Sequence, residues 1–131
     1  MSLKEKIRNA KKVLPKKLTV PEWGIDVYIP RKTVKERSDF EKSLTKLNKK
    51  SSDAAMEEVR ARMLIYGCRD ENGSPIWDVS DIEEIAGYDS TPVDYIIDEM
   101  RKFCHITEDD IDVMVKNAVG TPDGDSSGVS A

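Results

Sequence analysis

The sequence predicts an α+β fold that is mainly α-helical, with five to six helices and an N-terminal β-hairpin. Apolar residues recur at spacings of three and four through most of the chain, the mark of helices that bury one stripe. One stretch, residues 17–29, is instead β-prone and alternates around Pro21-Glu22-Trp23-Gly24. No strand–helix–strand rhythm and no internal repeat runs through the chain. With 131 residues, 38% hydrophobic and 35% charged, the composition suits one domain over residues 1–119 with a full core and a very polar surface.

Each element has a local reason. Leu3, Ile7, Ala10, Val13 and Leu14 form one helical stripe, with lysines and Arg8 on the other face, and Pro15 ends that helix by removing a donor and restricting the residue before it. Residues 17–20 and 25–29 then read as the two strands of a hairpin within about residues 15–30. In the second run Ile25, Val27 and Ile29 alternate with Asp26 and Tyr28, and Gly24 supplies the backbone freedom of the turn. Thr33-Val34-Lys35-Glu36 is a capping box that opens a helix through Val34, Arg37, Phe40, Leu44 and about Leu47. The polar residues 48–52 break it, and Ser52 is placed to cap the next helix, residues 53–66, whose apolar face holds Ala55, Met56, Val59, Met63 and Tyr66.

Asp70-Glu71-Asn72-Gly73 offers turn chemistry, with Cys68-Arg69 and Pro75-Ile76-Trp77 on either side as two very short paired strands or a loop. Ser80-Asp81-Ile82-Glu83 repeats the capping-box pattern before a short helix stopped by Gly87. Thr91 as cap and Pro92 as first helical residue start a helix over 92–104. Thr107 and the acids behind it start a last helix that faces Ile111, Met114, Val115 and Ala118 inward and ends near Ala118. Residues 120–131 have almost nothing to bury and read as a flexible tail.

Composition excludes several classes. No apolar run approaches the roughly 20 residues of a membrane span, and the basic stretch Met1 to Lys12 lacks the apolar segment of a secretory signal, so the expected location is the cytoplasm. Two cysteines, Cys68 and Cys104, build no disulfide framework, and one histidine, His105, has no partners for a zinc shell. Cys104 and His105 are sequence neighbours, a poor arrangement for a thiolate–imidazolium pair. The acids Glu108, Asp109, Asp110 and Asp112 lack the order of a calcium loop, and the scattered glycines form no phosphate cradle. No catalytic residue, metal site or cofactor is expected.

The net charge of −4 conceals an asymmetry. Residues 1–50 hold 15 Lys and Arg against 6 Asp and Glu, whereas residues 51–131 hold 6 against 19. A basic half steers towards nucleic acid or an acidic protein, and a charge dipole favours head-to-tail self-association. The lysines at 4, 6, 11, 12, 16 and 17 with Arg8, and a second cluster of Arg31, Lys32, Lys35 and Arg37, make a nucleic-acid-binding regulator the alternative function. The acidic C-terminal half opposes it, and no basic helix is followed by the tight turn of a helix-turn-helix.

The order of the pieces resembles the small tail assembly chaperones of long-tailed bacteriophages and prophages. The residues that carry the resemblance are the hairpin Leu18-Thr19-Val20-Pro21-Glu22-Trp23-Gly24-Ile25-Asp26-Val27-Tyr28-Ile29, and the helix start Thr33-Val34-Lys35-Glu36-Arg37 with Phe40-Glu41. They continue with the helix end from Met63 to Tyr66 that leads to Asp70-Glu71-Asn72-Gly73-Ser74-Pro75-Ile76-Trp77. The match covers roughly residues 15–118. It implies a non-enzymatic protein that is absent from the finished virion and keeps the tape-measure protein soluble while tail-tube protein polymerises around it in the bacterial host cytoplasm. In many such phages a frameshift appends a second domain, and the end at residues 120–131 suits the unshifted product. A chaperone needs adaptable apolar anchors, for which Trp23, Tyr28, Met56, Met63 and Trp77 are the candidates.

Overall fold

A computed structural model of the chain describes residues 1–45, 47 and 51–119. In chain order these form α1 (Leu3–Arg8), β1 (Lys16–Val20), β2 (Ile25–Ile29), α2 (Val34–Leu44), α3 (Ser52–Gly67), a 3-10 turn (Val79–Asp81), α4 (Ile82–Ala86), α5 (Ser90–Cys104) and α6 (Glu108–Val119). The α+β, mainly helical architecture with an N-terminal hairpin is the expected one. The tail at 120–131 and the polar break at 48–50 lie outside the described residues, as do the side chains of Met114 and Ala118.

The hairpin pairs Lys16 with Ile29, Leu18 with Val27 and Val20 with Ile25. Alternation then puts Leu18, Val20, Val27 and Ile29 on the buried face, while Thr19 and Asp26 share a 2.7 Å hydrogen bond on the wet one. Gly24 closes the turn at φ 64°, a left-handed conformation that a side chain would strain, and donates to the Val20 carbonyl. Beyond the hairpin, the Asp70 carboxylate accepts from the backbone N–H groups of Asn72 and Ser74 and folds the chain back on itself. Arg69 thereby pairs with both Tyr28 and Pro75, adding a one-residue bridge to the edge of β2.

Caps set most helix starts. Thr33 and Glu36 form the expected capping box, and at α6 the Thr107 hydroxyl and Asp110 carboxylate satisfy one another's backbone N–H groups in the same way. Three starts differ by a residue or more. Ser51, not Ser52, caps α3; Asp78 caps the 3-10 turn ahead of Ser80; and Asp89 accepts from the Thr91 N–H, so α5 begins at Ser90. In each case a competent cap lay just upstream, and a helix starts at the earliest cap that packing permits. Pro92 sits within the first turn of α5, where its missing N–H has no intrahelical acceptor to lose.

Two ends correct the expectation. The first helix stops at Arg8 instead of running to Leu14, and none of its residues is buried. With nothing to cover its stripe, so short a helix gains no packing energy to extend it. The second stops at Leu44, with Leu47 still packed against the core beyond it.

Helix α3 packs against α4, α5 and α6, and β1 lies against α5. Its buried residues, Ala55, Val59, Ala61, Met63 and Leu64, do not fall on one stripe, because neighbours surround it on several sides. At its end, a Cβ on Gly67 would overlap the sulfur of the fully buried Met100. No described helix is long and apolar enough to cross a membrane. Gly67→Ala overpacks this contact and should lower stability by about 1–3 kcal/mol, measured as a lower midpoint of denaturant unfolding at an unchanged slope.

Candidate partner-binding groove

The central position of α3 leaves a groove along its contact with α5. Two adjoining hollows, of about 440 and 370 Å³, share Met56, Arg60 and Asp94. Both fall within the roughly 300–1,000 Å³ range typical of ligand pockets. One is floored by Ala61, Ile85, Ala86 and Val93, the other by Met63, Ile97 and Ile111. Met56, half-buried, lies between them with a flexible, polarisable side chain suited to irregular partners.

The rim is acidic. Asp53, Glu57, Asp94, Asp98 and Asp112 line the hollows against two cations, Arg60 and Arg101. Arg60 reaches Asp94 across the groove at 3.7 Å, and Arg101 pairs with Asp98 at 3.2 Å on its own helix. Asp53, Glu57 and Asp112 pair with no cation among the described residues. An apolar floor under surplus negative charge suits a basic, amphipathic segment better than a nucleic acid.

Of the five residues expected as anchors, only Met56 stands in this groove with part of its surface open. Met63 touches it from below and is 1% exposed, and Trp77 is 8% exposed, so both belong to the core. Their burial follows from α3 being enclosed on several sides and from the fold-back at Asp70, which lays Trp77 inward. Trp23 and Tyr28 are half-buried elsewhere. Trp23 packs edge-on against Tyr88 at 5.5 Å, and Trp77 donates from Nε1 to the Tyr88 hydroxyl at 3.1 Å. Tyr88 in turn donates to Glu84 at 2.6 Å, so it ties the hairpin turn, the Trp77 loop and α4 together. Sequence reasoning passed over Tyr88, although an aromatic directly after a helix-ending glycine is a recognisable packing signal. It also passed over the groove's Asp94, Asp98 and Arg101, whose spacing of four and three beside Val93 and Ile97 marks one edge of a helix.

Neither cysteine has the lowered pKa of an activated thiolate. Cys104 directs its thiol to the Pro30 carbonyl at 3.8 Å, and burial raises its pKa; burial likewise pushes Cys68 up to about 12. His105, next in sequence to Cys104, ends α5 in a left-handed conformation and is exposed. No group of three or more candidate metal ligands occurs among the described residues. Nearby, the Lys32 ammonium lies 5.0 Å from the Tyr66 ring centre, and Tyr66 stacks on Phe40 at 4.2 Å. Lys32 Nζ and the Tyr66 hydroxyl are buried without hydrogen-bond partners. Burial, followed by the nearby Arg69 charge, lowers the Lys32 pKa, and burial raises Tyr66 to about 12.

Among solved structures, the tail assembly chaperone of bacteriophage HK97 superposes on this chain with a TM-score of 0.54. The match spans 75% of this chain and 94% of that one at 14% sequence identity, and the two proteins share a fold. No protein-family model and no curated protein matches the sequence.

The Tyr66 shift has a defined pH signature. A folded pKa of about 12 above an ordinary value of 10 means that folding favours the neutral phenol; this contribution is complete below pH 10 and is lost as pH rises from 10 through 12. Tyr66→Phe cannot ionise and discards an unpartnered hydroxyl, so at pH 7 it should melt at the same temperature as the parent or slightly higher. Between pH 10 and 12 its advantage should widen, and thermal unfolding of the pair across that range measures it.

Proposed function

We propose that this chain is a non-enzymatic tail assembly chaperone of a long-tailed bacteriophage or prophage. It binds the tape-measure protein in the bacterial host cytoplasm while tail-tube protein assembles, and it does not remain in the finished virion. The fold shared with the HK97 tail assembly chaperone, over nearly the whole of that protein, carries this reading.

The surface chemistry supports it. A tape-measure protein is long and helical, and a groove with an apolar floor, a methionine at its centre and an ionic rim is suited to one turn after another of an amphipathic helix. Met56 is the anchor within the groove; Trp23 and Tyr28 offer their half-buried faces on the hairpin. The basic-arm alternative is weakened by internal pairing of its second cluster. Lys35 pairs with Asp39, and Arg37 pairs with Glu41 and Asp110, which leaves fewer cations for phosphate.

Co-expression with the tape-measure protein of the same phage or prophage tests the reading. The expected result is a soluble client that co-purifies with this chain at both low and high salt, with yield reduced at least severalfold by Met56→Glu. A client that stays insoluble, together with DNA binding by this chain only at low salt, would replace the chaperone by the nucleic-acid reading.

A further inference from the structure

Away from the groove, the fold buries two polar groups and leaves both unsatisfied. Lys32 Nζ and the Tyr66 hydroxyl are enclosed, and neither has a hydrogen-bond partner among the described residues. They form one cluster, because Lys32 Nζ lies 5.0 Å from the Tyr66 ring centre. A buried cation is ordinarily paired with a carboxylate, since losing its water without a partner is costly, and an aromatic face offsets only part of that cost. The acid whose charge bears on Lys32 is Glu36, and its carboxylate is engaged with the Thr33 backbone N–H at 2.9 Å in the capping box of α2.

The surroundings favour the uncharged amine. The Arg69 guanidinium is fixed nearby, its Nη1 donating to the carbonyls of Ile65, Tyr66 and Cys68 at the end of α3. Burial first, and then that charge, lowers the Lys32 pKa. Glu36 and the thiols of Cys104 and Cys68 act in the opposite sense, but burial raises both thiol pKa values and so keeps the thiols neutral. A desolvated amine beside another cation is an activated nucleophile. Two hollows, of about 310 and 290 Å³, adjoin the cluster. Glu36 and Arg69 line both, Tyr66 lines the first, and Pro30 and Arg31, just before Lys32 in sequence, line the second. Asp39 in the first hollow and Asp70 and Glu71 in the second repel a preformed anion such as phosphate, whereas a small neutral electrophile meets no such barrier.

We propose that Lys32 is a carbon dioxide site, at which Nζ carries a carbamate held by the Tyr66 hydroxyl and the Arg69 guanidinium. The amine lone pair attacks the carbon of CO2, an N–C bond forms, and one C=O π pair moves onto oxygen. Nζ then releases one proton to water, which leaves an Nζ–COO⁻ group. No oxidant or reductant is consumed. The new anion gives the Tyr66 hydroxyl an acceptor and sets a counter-charge beside Arg69, so a site that held only unmatched donors becomes a paired one. The inference does not depend on the chaperone reading.

Trapping tests it on the full chain. The protein is equilibrated with isotope-labelled bicarbonate at mildly alkaline pH, treated with triethyloxonium to convert any carbamate into a stable ethyl ester, and digested for peptide mass spectrometry. The trapped group should occupy Lys32 severalfold more than the exposed Lys35 and Lys102 of the same molecules. Tyr66→Phe keeps the ring but removes the hydroxyl, and it should lower the occupancy of Lys32 severalfold. Because a ligand bound only by the folded state stabilises it, the parent should melt at a higher temperature in bicarbonate than in chloride of equal ionic strength, and Lys32→Arg should not. Occupancy of Lys32 no higher than that of Lys35 and Lys102, occupancy unchanged in Tyr66→Phe, or an equal melting shift in Lys32→Arg would overturn the proposal. The first of these comparisons is made within the parent and requires no variant to fold.

Discussion

The fold rests on the closeness of α3 to its neighbours, and that closeness is decided at small residues. Ala55 and Ala61 let other elements approach the helix, and at Gly67 the sulfur of Met100 occupies the space a side chain would need. Because α3 touches α4, α5 and α6 together, the spacing set there fixes where each of them lies. Close packing of this kind is unforgiving, since a methylene too many must be accommodated by shifting several elements at once.

The groove is a consequence of the same arrangement. Where α3 and α5 are held against one another, the charged residues beside their apolar faces form the rim. Arg60 and Asp94 tie the two helices across that space, yet they are half-exposed, so their pairing adds little stability and mainly shapes the surface. The aromatic cluster plays the opposite part. Trp23, Trp77 and Tyr88 come from three separate loops; edge-on packing of Trp23 on Tyr88, the Trp77–Tyr88 hydrogen bond and the bond from Tyr88 to Glu84 of α4 hold the hairpin and the Asp70 turn against the helices. The residues with the most obvious binding chemistry are therefore mostly spent on cohesion, and the open surface falls to Met56 and the carboxylates around it.

Charge follows a similar division. Many basic residues of the first half find partners once the chain is folded, with Lys16 on Glu99, Lys17 on Asp26 and Arg37 on Asp110. Among the described residues, the charges without such partners include those of the N-terminal segment and, on the groove rim, Asp53, Glu57 and Asp112. The asymmetry along the sequence becomes an asymmetry in space between two surfaces that do not touch within one copy.

The sequence by itself determined those elements whose information is local. The hairpin of β1 and β2 and the capping box at Thr33 depend on alternation, turn chemistry and reciprocal capping within a few residues, and they stand where that chemistry puts them. Tertiary structure decided everything that depends on company. The stripe from Leu3 to Leu14 is as regular as that of α5, but it meets no opposing surface and the helix stops at Arg8. Met63 and Trp77 carry the same side chains as an interface would, and only the enclosure of α3 and the fold-back at Asp70 place them inside. Periodicity reports which residues prefer to leave water; whether they leave it within their own chain, or at a contact with another, depends on distances between elements that no local pattern encodes.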